Sequence, residues 1–162
     1  MHAPRDALPF PLPPLDAVLL RKRADALAAL VRVGWRRYST PISLDAERRR
    51  LLNIDLTEPE VACFAGDELL AVAHVEADRA GLVTLLELIA TEPVRAERVA
   101  AALMPGADRP RVGGGHEARE WVWGPETGSD AAIDGEPVRL WICAERAYGD
   151  RLWAVASVVR HG

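Results

Sequence analysis

At 162 residues the chain is sized for one domain with a real hydrophobic core. Its composition, 49% hydrophobic and 27% charged with a net charge of −4, is that of a soluble globular protein and argues against nucleic acid as a partner. The strongest basic cluster, Arg48-Arg49-Arg50, sits in a chain that is acidic overall, and Lys22 is the only lysine, an Arg, Ala and Val bias that fits a GC-rich bacterial genome.

Residues 1–14 carry Pro4, Pro9, Pro11, Pro13 and Pro14, a spacing that predicts an extended, flexible tail ahead of a single domain over 15–162. The tail lacks the apolar run of a signal peptide, and no stretch has the length of a membrane span, so a cytoplasmic protein without membrane insertion is expected. From Leu15 the pattern turns helical. Leu15, Leu19, Ala26, Leu27, Leu30 and Val31 form one stripe, which Gly34 ends before the extended Trp35-Arg36-Arg37-Tyr38. Ser43 can cap a short helix through DAERRRLL, and Leu52 to Leu56 can return as a strand.

Glu60 to Ala65 and Glu68 to Glu76 read as a hairpin turned by Gly66-Asp67. Gly81 to Ala90 is apolar enough for a buried helix. A second helix is expected after Pro93, ended by Pro105-Gly106. Residues 105–115 read as a Gly- and Pro-rich loop, Glu117 to Trp123 as a strand, and 124–137 as a long polar loop.

Val138 to Val159 is the clearest element, two alternating runs around Tyr148-Gly149-Asp150. If those three residues form the turn, Ala147 pairs with Arg151. One face then carries Leu140, Ile142, Ala144, Leu152, Ala154, Ala156 and Val158. The other carries Arg139, Trp141, Cys143, Glu145, Arg151, Trp153, Val155 and Ser157. The order of elements predicts an α+β fold: a mainly antiparallel twisted sheet, packed helices and an extra N-terminal helix.

No motif for chemistry stands out. His2, His74, His116 and His161 are not spaced as a ligand set. Gly113-Gly114-Gly115-His116-Glu117 lacks both the second histidine of a zinc helix and the Lys-Ser/Thr of a phosphate loop. Ser43 and Ser129 have no strand-to-helix elbow around them. Cys63 and Cys143 lie in apolar strand-like runs and are expected as buried free thiols. No cofactor, metal or catalytic residue is therefore assigned. Tryptophan is more informative: Trp121 and Trp123 share one strand face, Trp141 and Trp153 the mixed face of the last hairpin. Trp141 and Trp153, with Arg139 and Arg151 beside them, are the candidate protein-binding residues, since indoles supply contact area with a polar handle.

Two resemblances bear on function. The run LVTLLELIATEPVRAERVAAALM resembles the core of GNAT acetyltransferases. Ala96-Glu97-Arg98-Val99-Ala100 follows Arg95 where that family has a glycine-bearing pyrophosphate loop. Micromolar acetyl-CoA binding is therefore not expected, and calorimetry checks this. In element order the chain resembles the PsbP-like superfamily with its DcrB- and LpqN-type domains. The resemblance runs from Tyr38 through EVACFAGDELLAVAHVEA, GLVTLLELIATEP and VGGGHEAREWVW to the final hairpin, leaving 1–33 outside it. It implies a non-enzymatic accessory role, such as a secretion-system chaperone or adaptor binding a protein segment. The alternatives are a diverged acyltransferase-like enzyme and a toxin-neutralising immunity protein.

Overall fold

The computed structural model describes residues 8–37, 60–66, 68–91, 93–107, 109–146, 149 and 151–159. The fold is α+β, built on a sheet with nine strands among the described residues. In chain order the strands are β1 (Arg36–Arg37), β2 (Val61–Ala65), β3 (Glu68–Ala77), β4 (Val83–Ala90), β5 (Arg111–Gly114), β6 (Ala118–Trp123), β7 (Ala132–Ile133), β8 (Glu136–Glu145) and β9 (Arg151–Val158). They lie in the order β1-β2-β3-β4-β9-β8-β6-β5, with β7 on β8, and every pairing is antiparallel. Among the described residues the α-helices are α1 (Arg23–Arg32) and α2 (Ala96–Leu103). The expected short helix after Ser43 and strand at Leu52 to Leu56 lie outside the described residues.

Both described helices pack on one side of the sheet, the core face. The α2 sequence spaces Ala96, Val99, Ala100 and Leu103 by one and two turns, so all four fall on the buried side, against β8. From α1, Ala26, Leu27 and Leu30 cover β2 and β3. Beneath them lie Val75, Leu86, Leu88, Leu140, Ile142, Ala154 and Ala156, with Trp121 and Trp123 on β6.

The N-terminal region differs from the sequence expectation in two ways. Residues 8–14 are packed: Phe10 is 1% exposed, and Trp35 donates its indole N–H to the Pro11 carbonyl at 2.7 Å. Prolines keep this segment extended, but Leu8, Phe10 and Leu12 give it an apolar side to bury. The helix from Leu15 is also interrupted. After a 3-10 turn at Leu15–Ala17, Leu20 adopts a left-handed φ of 61°. Its N–H reaches the Val83 carbonyl at 2.7 Å, and Val83 N–H returns to the Arg21 carbonyl at 2.8 Å. Pairing with the start of β4 thus replaces helical bonds here, and α1 restarts at Arg23. Val31, placed on the buried stripe by the periodicity, is 41% exposed.

Gly81 to Ala90 is the clearest correction, for Val83–Ala90 forms β4 and not a helix. Paired with β3 and β9, the strand has both faces partly or fully covered, so its sequence loses alternation and imitates a buried helix. Two stretches expected as loops also hold short strands. Arg111–Gly114 forms edge strand β5, and β7 joins β8 through Asp134-Gly135, with φ of 50° and 82°. At Gly114, with φ +96°, a Cβ would lie 2.3 Å from the Ala118 carbonyl oxygen. Gly114→Ala is therefore expected to destabilise by roughly 1–3 kcal/mol through backbone strain and a clash with main chain. A denaturation midpoint equal to that of the parent would contradict the tight β5–β6 turn.

The β2–β3 hairpin forms as expected, with a bulge between Cys63 and Phe64. In the last hairpin, Arg151 pairs with Glu145, where the sequence pattern pairs it with Ala147. A slip of two residues preserves side-chain faces, so both expected sets of face residues stand although each cross-strand partner changes. Gly149 has φ 68°, open space surrounds the point where a Cβ would stand, and its N–H closes on the Arg146 carbonyl at 3.1 Å. Gly149→Val should cost about 1 kcal/mol from conformation alone. An unchanged urea midpoint would mean a different turn.

Candidate protein-binding face

The second face of the sheet collects side chains that alternate away from the core. Register sets them in rows across the strands. One row runs His74, Glu87, Val155, Trp141, Val122 and Arg111. The next runs Val72, Ile89, Trp153, Cys143 and Glu120. Ala62, Leu69, Val72 and Ile89 form a small buried cluster, with Phe64 and Trp153 packed against it.

Trp141 and Trp153 are diagonal neighbours on the paired strands β8 and β9. Their rings meet edge to face, with centroids 5.1 Å apart and planes at 85°. Each indole N–H is held by a carboxylate from the adjoining strand. Trp141 donates to Glu120 at 3.3 Å and Trp153 to Glu87 at 2.9 Å. Both rings are half-buried. The pair is thus fixed in orientation while part of each ring meets solvent, which lowers the entropy a partner must remove on contact.

The two arginines differ. Arg139 lies on the same face, 41% exposed in its side chain, and is paired with Glu126 at 2.7 Å. That guanidinium, together with the backbone N–H of Glu126, holds the Glu126 carboxyl below its ordinary pKa, the backbone bond being the larger cause. Arg151 is 4% exposed and bonds Glu145 at 3.2 Å. It braces the end of the hairpin and offers little surface. The structure therefore brings Trp141, Trp153 and Arg139 to one accessible face, and Arg151, on the same side of the sheet, is withdrawn from solvent.

Glu87 and Glu120 belong to this site although no sequence motif marks them. The helix-like texture of β4 hides Glu87. Its position two residues from both Leu85 and Ile89 becomes informative once the segment is a strand.

Cys143 lies between Trp153 and Glu120 in its row, buried and free. Burial, and then the carboxylates of Glu145 and Glu120, push its thiol up to about 11, against a smaller lowering by Arg151. The thiol stays protonated at neutral pH and is a poor nucleophile. Cys63, also free, is raised by burial as well. Native protein at about pH 7.5 should react with a thiol reagent far more slowly than unfolded protein, with Cys143 accelerating only as pH approaches about 11. Rapid stoichiometric labelling near neutral pH would contradict this environment.

His74 offers the nearest approach to catalytic geometry. Its Nδ1 lies 3.2 Å from Glu60 and its Nε2 3.3 Å from Glu76. Glu60 also pairs with Arg23 and accepts the Val75 N–H at 3.2 Å. The arrangement ties α1 to β3, and no hydroxyl or thiol bonds the imidazole among the described residues. Within them there is also no group of three or more His, Cys, Asp and Glu suited to a metal, and no helix is long and apolar enough to cross a membrane. Comparison with protein-family models, with curated proteins and with solved structures finds no match to this chain.

Proposed function

We propose that this chain is a non-enzymatic bacterial protein-binding module, a cytoplasmic chaperone or adaptor, that meets its partner on the second face of the sheet. The observation that carries the reading is the Trp141–Trp153 pair: two large rings in edge-to-face contact, half-buried, with both indole N–H groups held by carboxylates. Both described helices pack on the opposite side, against the core face. Rigid amphipathic rings flanked by charge are the usual composition of a binding hot spot and its rim. Glu87, Glu120 and Arg139 would then act as orienting and rim groups.

A photo-crosslinking residue at Val155, which lies directly opposite both Trp141 and Glu87, tests the location. Irradiation in the native host is expected to join it to another protein chain. The same residue at exposed Arg32 on α1 serves as the control. Equal crosslinking from both positions, or none from Val155, would remove this face as the contact surface.

A further inference from the structure

The end of the fold away from the β8–β9 turn holds an open cleft of about 530 Å³, within the size range of small-ligand sites. Its walls come from the 3-10 turn at Leu15–Ala17, the C-terminal end of α2, and residues 129–133. Leu15, Leu103, Ile133 and Val138 form an apolar lining. Asp16 and Asp130 supply its charge, and no lining residue is basic. Neither carboxylate has an ion-pair partner among the described residues. Arg21 lies at the rim, where it donates to the Asp16 backbone carbonyl at 2.8 Å and pairs with Asp134 at 3.4 Å, leaving the Asp16 carboxylate itself unpaired among the described residues.

The helix end adds to the same sign of charge. Met104 N–H closes on the Ala100 carbonyl, and Ala107 N–H turns to Met104. Pro105 has no N–H to offer the Ala101 carbonyl, and Ala102 and Leu103 receive no backbone donor among the described residues. Leu103 lines the cleft, so the negative end of α2 lies at its wall. Apolar lining, two carboxylates without an ion-pair partner among the described residues and the C-terminal end of α2 together define what would be complementary.

We infer that this cleft binds an apolar group bearing a protonated primary amine. The hydrocarbon body would replace water over Leu15, Ile133 and Val138, while the ammonium, with three donors and no acceptor, meets the carboxylates of Asp16 and Asp130. The inference stands apart from the tryptophan face and fails or holds independently of it.

The test compares 2-phenylethylamine with 2-phenylethanol, which has the same shape and no charge at neutral pH. Amide chemical shifts are followed on the full chain. The amine is expected to give saturable shifts confined to residues 103–107 and 129–133, with the alcohol weaker by about tenfold. Asp16→Asn with Asp130→Asn should weaken the amine by about tenfold while leaving the alcohol unchanged. Equal affinities for the two probes, shifts centred elsewhere, or no saturation up to about 10 mM amine would overturn the inference. Should the double variant not fold, the comparison of probes on the parent chain decides alone.

Discussion

Trp35→Ala is expected to lower stability by about 3–5 kcal/mol, the range for emptying an enclosed aromatic site. Trp35 lies just beyond the end of α1 and is 2% exposed. Its ring meets Phe10 edge to face, with centroids 6.0 Å apart, and its N–H holds the Pro11 carbonyl at 2.7 Å. One side chain thus fastens the proline-rich entry segment to the core. Truncation would leave a cavity, deprive Pro11 of its donor and loosen Phe10 together. Trp35→Phe separates these effects: it retains most ring packing and removes the hydrogen bond, for an expected cost of about 1–2 kcal/mol. Urea denaturation of both variants supplies the measurement. If Trp35→Ala unfolds at the midpoint of the parent, residues 8–14 do not pack as described.

Trp141→Ala and Trp153→Ala are expected to leave a folded protein that has lost partner affinity. Each ring is half-buried, so truncation should cost about 1–3 kcal/mol of stability, below the value for Trp35. Loss of a binding anchor should weaken partner association by about 2 kcal/mol or more, roughly thirtyfold. The edge-to-face contact also predicts non-additive stability effects, with a coupling of about 0.5–1.5 kcal/mol in a double-mutant cycle. Melting temperature and recovery of the partner from host lysate distinguish the outcomes. If both variants unfold, or neither changes recovery, the tryptophans are structural and the proposed binding face is wrong.

The Asp134-Gly135 turn has a local signature inside a stretch whose polar composition reads as loop. An Asp-Gly pair flanked by Ile133 and Glu136 is a two-residue hairpin signal, and both residues adopt positive φ. Edge strand β5 is harder to see. Its four residues include two glycines, and its existence depends on β6 providing a ladder.

Local pattern alone determined the last hairpin, the β2–β3 hairpin, α2 and the division of the final strands into an apolar and a Trp-bearing face. Each has a period that matches its element, and side-chain alternation survives even a two-residue change of register. Tertiary structure decided what had no local signature. It made Val83–Ala90 a strand, because central position supplied ladders on both sides. It broke the N-terminal helix at Leu20, because Val83 offered that backbone a partner. It packed residues 8–14 through Trp35, which lies 24 positions along the chain from Pro11. It also set Glu87 and Glu120 under the two indoles and buried Arg151 beside Glu145. The indole contacts join strands far apart in sequence, so only the closing of the sheet could bring them together.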